Sequence, residues 1–184
     1  DRASYSNSLL NGVSASLLLG RGTGGEAAGD VFVSIENLEG SGHEDMLTGN
    51  ALANEFRGLG GNDVLNGEAG DDRLEGGTGA DSLTGGLGND VVAGGNGDDT
   101  LEGNEGRDSL AGGRGDDLLL GGAGNDFLSG NQGDDVLTGG QGRDTFELKA
   151  REGHDTITDF SSADFIMLSG RLGISDLSFS GSDI

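Results

Sequence analysis

The chain of 184 residues contains no cysteine, no proline and no tryptophan, and its single tyrosine leaves aromatics at 4%. Without cysteine no disulfide can staple it, so any cross-link must come from elsewhere, such as a metal. Without proline, and with no period of three, a collagen-type helix is excluded. Nowhere does the sequence hold the ~18 consecutive apolar residues of a membrane-spanning helix. It does not open on a basic stretch followed by an apolar one, so no secretory signal peptide is read there. Beginning at Asp1 rather than Met, it reads as a piece of something longer. Positive charge is scarce: 10 Lys and Arg face 33 Asp and Glu, for a formal charge of -23. Such a surface repels nucleic acid and anionic membranes and attracts cations.

Hydrophobic residues, at 32%, are too few for an ordinary globular core, and composition alone would suit a disordered chain. The order of the residues decides otherwise. Glycine is abundant, at 40 residues, and it is periodic. A period of nine runs without insertion from Gly40 to Glu147, through twelve units such as Gly76-Gly77-Thr78-Gly79-Ala80-Asp81-Ser82-Leu83-Thr84. Position one is Gly in all twelve. Position four is Gly in ten, with His43 and Leu52 the exceptions. Position six is Asp in eleven, with Asn54 the exception, and position eight is apolar throughout. Position two is Gly in six and Asn in three (Asn50, Asn104, Asn131), the residue that next best tolerates positive φ. A disordered tail has no reason to hold one apolar residue in phase through twelve units. Disorder remains the expectation for the chain without its cation.

Each unit divides into a six-residue turn and a three-residue strand. Alternation along a strand points position eight inward and positions seven and nine outward. Two units make one coil, with a turn on each side. The core is then one file of leucines per sheet. One buried Leu in nine residues does not offset the backbone entropy of ordering the other eight, of which glycine loses the most. Another term must hold the fold, and the aspartates are the candidates present in sufficient number.

Turns one coil apart stack, so aspartates eighteen residues apart become neighbours. One column holds Asp45, Asp63, Asp81, Asp99, Asp117 and Asp135, and the other Asp72, Asp90, Asp108, Asp126 and Asp144. Nine adjacent pairs result, with Asn54–Asp72 a tenth and weaker one. Bare carboxylate columns repel. A hard cation that takes six to eight oxygens suits two carboxylates plus turn carbonyls, which is calcium chemistry. The expected carbonyl ligands are those of the position-one glycines Gly58, Gly67, Gly76, Gly85, Gly94, Gly103, Gly112 and Gly121. The position-four glycines Gly61, Gly70, Gly79, Gly88, Gly97, Gly106, Gly115 and Gly124 are expected to add theirs. Nine or ten Ca²⁺ would largely offset the charge of -23. Magnesium fits less well because it demands strict octahedral geometry and keeps its waters. Zinc does not suit a chain with no Cys and two His, and His43 and His154 read as exposed turn residues.

The unit G-G-x-G-x-D-x-U-x, with U apolar, resembles the RTX or hemolysin-type calcium-binding repeat. That resemblance implies an all-β, right-handed parallel β-roll (a β-solenoid with two nonapeptides per coil). It also implies calcium as the cofactor, export by type I secretion machinery, and folding outside the cell. Three regions are expected: capping coils over 1–39, twelve repeats over 40–147, and a capping region over 148–184. In the first, Ala15-Ser16-Leu17-Leu18-Leu19 and Val31-Phe32-Val33-Ser34-Ile35 suggest wider, calcium-poor coils. In the last, Gly153-His154-Asp155-Thr156-Ile157-Thr158 echoes the unit two residues out of phase. With Asp159-Phe160 and Asp164-Phe165-Ile166-Met167-Leu168 it resembles the tail of calcium-binding domains in secreted proteases, lipases and alginate epimerases. Closing strands are expected there, and Asp155 and Asp159 are candidates for a last calcium. A secretion signal at the extreme C-terminus is not identifiable.

The function this points to is a monomeric, extracellular, non-catalytic calcium module that serves a larger secreted bacterial protein. The alternative is a polysaccharide-binding or adhesive accessory module. That would need a basic or aromatic stripe, whereas Arg57 and Arg73 look scattered in the sequence. For an enzyme there is no Ser-His-Asp set, no H-E-x-x-H and no phosphate-binding G-x-x-x-x-G-K-S/T. Paired carboxylates suggest glycosidase chemistry only until eleven equivalent ones are counted.

Overall fold

The computed structural model describes residues 1–8, 11–149 and 152–170; the extreme C-terminus, where a secretion signal is expected, lies outside them. Strands of two to seven residues account for almost all regular structure. The N-terminal part contributes β1 (Arg2–Ser4), β2 (Ser14–Ser16), β3 (Arg21–Gly24), a single 3-10 turn at Gly25–Ala27, and β4 (Asn37–Glu39). The repeats contribute twelve strands, from β5 (Met46–Asn50) and β6 (Glu55–Gly60) to β15 (Val136–Gly142) and β16 (Thr145–Lys149). Then come β17 (Thr156–Ile157) and β18 (Phe165–Ser169).

Successive repeat strands alternate between two nine-stranded sheets. The even strands from β6 to β16 form one sheet, extended by β4 and β1 at one end and by β18 at the other. The odd strands from β5 to β15 form the second, extended by β2 and β3 and by β17. Within the repeats all pairing is parallel and offset by eighteen residues: Val92 lies between Leu74 and Leu110, and Leu101 between Leu83 and Leu119. This is the expected parallel β-roll with two units per coil. The x-Leu-x alternation does what the pattern requires. Position-eight side chains from Leu47 and Phe56 to Leu137 and Phe146 are fully buried, and the two files face each other as one core.

The regular spacing begins before the first full unit. Leu38 in β4 is fully buried and pairs with Phe56, eighteen residues on. Upstream the coil widens, since Ser14 in β2 pairs with Met46. There β3 turns back antiparallel against β2, which leaves the second sheet without an open parallel edge on that side. At the other end the offset grows to twenty: Leu137 faces Ile157, and Phe146 faces Ile166. The two extra residues are the phase shift visible in the sequence around Gly153. Phe160 then packs its ring 6.2 Å from that of Phe146.

Candidate metal centre

Every turn presents its position-six side chain inward, between one coil and the next. The aspartates of both columns from Asp45 to Asp144 are buried. They are brought together as the eighteen-residue spacing requires. The main-chain N–H of Asp45 donates to Oδ1 of Asp63, that of Asp63 to Asp81, and that of Asp72 to Asp90, each at 2.8 Å. The same bond repeats along both columns. Oδ1 of each stacked aspartate is therefore spent on the neighbouring coil.

Oδ2 is not. In Asp63, Asp72, Asp81, Asp90, Asp99, Asp108, Asp117, Asp126 and Asp135 this oxygen is buried and has no hydrogen-bond donor. A buried, unpaired carboxylate oxygen costs several kcal/mol unless something neutralises it. A second acceptor points at the same place. A Cβ placed on Gly58 would collide with Oδ2 of Asp63 and lie 2.6 Å from the carbonyl oxygen of Gly76. Asp72 and Gly85 converge in the same way on Gly67, Asp81 and Gly94 on Gly76, and Asp108 and Gly121 on Gly103. Two oxygens without a proton between them repel; a cation between them reverses the sign. Position one is glycine because this cradle leaves no room for a side chain.

The position-four carbonyls of Gly61, Gly70, Gly79, Gly88, Gly97, Gly106, Gly115 and Gly124 each face the α-carbon of the position-four glycine one coil further on. Among the described residues no three His, Asp or Glu side chains gather around one point. A centre here consists of carboxylate and main-chain oxygens, a donor set that suits a hard cation.

Electrostatics agree with the geometry. Burial, reinforced by the neighbouring carboxylates of the column, pushes Asp63 and Asp117 up to about 7. Asp72 rises to about 7, and Asp90, Asp99 and Asp126 to about 6, again through burial first. The opposing influence is the N–H bond from the preceding coil, which lowers each. Without a cation the fold penalises the charge that the columns carry at neutral pH.

Both columns continue past the repeats. Oδ1 of Asp155 accepts from the N–H of Asp135 at 3.4 Å, and Oδ1 of Asp164 from that of Asp144 at 2.9 Å. Asp159 sits elsewhere, its carboxylate accepting from Gly139 and Gly140. Asp164, rather than Asp159, thus holds the column position. The phase shift could have revealed it, because Asp144 plus twenty is Asp164.

The structure also holds a second ladder, which the sequence pattern does not announce. At position five, Asn62 accepts from Ala80 N–H, Asp71 from Asn89, Asp98 from Asp116 and Asp116 from Asp134. These bonds run in the opposite direction along the roll from those of position six. Asx residues recur at this position, but Ala80, Arg107 and Arg143 interrupt them and hide the pattern. Of the histidines, His154 is exposed with Nδ1 3.5 Å from Asp134, and His43 lines an open groove with Asn11, Gly12, Glu44 and Asn62. Arg57 and Arg73 are not scattered. Their strands set them on one outer face, where Arg57 meets Glu55 at 3.0 Å and Glu75 at 3.7 Å, and Arg73 lies opposite Glu55. The row is neutralised by its own glutamates.

A parallel β-roll whose turns align unpaired, buried carboxylate oxygens defines a metal-binding solenoid. The chain belongs to the RTX calcium-binding nonapeptide repeat family, whose model matches residues 48–83, 84–119 and 112–146. That family binds calcium through its repeats, and secretion by the type I route is what membership implies. A search of the curated proteins finds no match. Among solved structures, the extracellular lipase LipA from Serratia marcescens is similar at 20% identity and a TM-score of 0.27, over 76% of this chain and 35% of that one. The chain thus spans about a third of that lipase's length.

Proposed function

We propose that this chain is a calcium-dependent folding module of a larger secreted bacterial protein, itself without catalytic function. In low calcium its columns of like charge keep it expanded. Outside the cell, where calcium is abundant, ions enter between the coils, pair the carboxylates and close the roll. The ligands are the position-six aspartates of the two columns from Asp63 and Asp72 onward together with the position-one carbonyls, Gly76 beside Asp63 and Gly85 beside Asp72 being typical. Folding after export would keep the chain threadable inside the cell and stabilise the attached protein once released.

The observation that carries this reading is the set of nine buried Oδ2 atoms without a donor. It supports about nine ions per chain. Equilibrium dialysis against ⁴⁵Ca²⁺ should count close to that number at saturation. One or two ions per chain would contradict it.

A further inference from the structure

The twelve turns are not of one kind. In ten of them, from the unit at Gly58 onward, positions two and four both have positive φ, including the non-glycine residues Leu59, Glu68, Asn104 and Asn131. In the first two, the units beginning at Gly40 and Gly49, neither position does: Ser41, His43, Asn50 and Leu52 all lie outside the left-handed region. Where position two is not left-handed, its N–H turns into the cradle. Ser41 N–H donates to Oδ2 of Asp45 at 2.5 Å, and Asn50 N–H donates to Oδ1 of Asn54 at 3.0 Å.

The other side-chain polar atoms of Asp45 and Asn54 are also satisfied. Oδ1 of Asp45 accepts from the Ser41 hydroxyl at 3.0 Å and from Val13 N–H, in the capping region, at 2.6 Å. The Asn54 amide donates to the Glu36 carbonyl at 2.8 Å. Neither side chain carries the orphan oxygen found in the later turns. The cradle itself is the same, since Gly40 faces Asp45 and the Gly58 carbonyl just as Gly58 faces Asp63 and the Gly76 carbonyl. An N–H dipole occupies the place of the cation.

We propose that the first coil of the roll, residues 40–57, is a metal-free coil in which main-chain N–H groups of Ser41 and Asn50 replace calcium. Asp45 is then a structural acceptor and not a ligand, and the loaded sites begin at Asp63 and Asp72. The coil offers the stack an end whose oxygens are satisfied before any ion arrives, joined to the N-terminal cap through Val13 and Glu36. Its sequence mark is the loss of glycine at positions two and four together, which occurs only in these two units. This inference rests on the calcium reading above.

Calcium counting on single-site variants tests it, with circular dichroism at saturating calcium to confirm the roll. Asp63→Asn should lose at least one ion per chain, whereas Asp45→Asn should bind as many as the unaltered chain. Loss of an ion in folded Asp45→Asn would overturn the proposal. A second variant covers the case in which Asp45→Asn does not fold. Ser41→Gly with His43→Gly restores the glycines of a later turn and should gain one calcium, and an unchanged count would overturn the proposal equally. If the unaltered chain binds no calcium, it is the calcium reading itself that fails.

Discussion

Position one is glycine in every unit for want of room, and position four is glycine in the ten units whose turn needs a positive φ there. Gly79 illustrates the second case. Its φ of +129° lies in a region essentially closed to residues with a Cβ, and a methyl group there would run into the carbonyl of Gly61. Gly79→Ala should therefore cost on the order of 1–3 kcal/mol from the backbone alone. Gly42 has open space around it and no positive φ, so Gly42→Ala should change stability by less than about 0.5 kcal/mol. Chemical denaturation of both variants at saturating calcium checks the pair. Equal effects would mean that the turn geometry described here is wrong. Leu59 and Glu68 show the converse, since they accept left-handed φ where ten turns share one backbone form.

At the scale of the turn columns, burial and stacking make a pH dependence with a definite sign. Asp63, Asp72 and Asp117 stand at about 7, and Asp90, Asp99 and Asp126 at about 6, against an ordinary value of 3.8. The folded roll without metal thus holds more protons than the unfolded chain between pH 4 and 7, so its stability falls as pH rises through that window. Protons act as a weak substitute for calcium, because a protonated Oδ2 can donate to the carbonyl converging on it. In calcium-free buffer, β-sheet signal should rise as pH is lowered from 8 to 5. With calcium present, the calcium concentration at half of the β-sheet gain should fall over the same range, because protons already favour the closed roll. A pH-independent midpoint would contradict the buried-column description. How much of this was legible in the sequence follows from what repeats. The apolar residue at position eight and the Asp at position six gave the coil, the core and the columns, because each performs one task in every unit. The position-five ladder was not legible, since Asn, Asp, Ala and Arg share that position. The two turn classes were hidden as well: His43 and Leu52 look like defects in a pattern until Ser41 and Asn50 are seen donating into the cradles.

The whole molecule is a thin core between two acidic flanks. Its sheets are stapled sideways by main-chain ladders, and its turns repel along their length until they are neutralised. The ends differ from the middle: β3 reverses against β2 at one end, and a coil two residues longer carries Asp155 and Asp164 at the other. Nine unpaired aspartate carboxylate oxygens are buried among the described residues, so on the proposed reading the cation is a component of the fold rather than an addition to it. Far-ultraviolet circular dichroism during a calcium titration at pH 7.5 tests this most directly. The account predicts a disordered spectrum in EGTA, a cooperative gain of β structure on adding calcium, and full reversal by chelator; a β-sheet spectrum that is indifferent to calcium would contradict it.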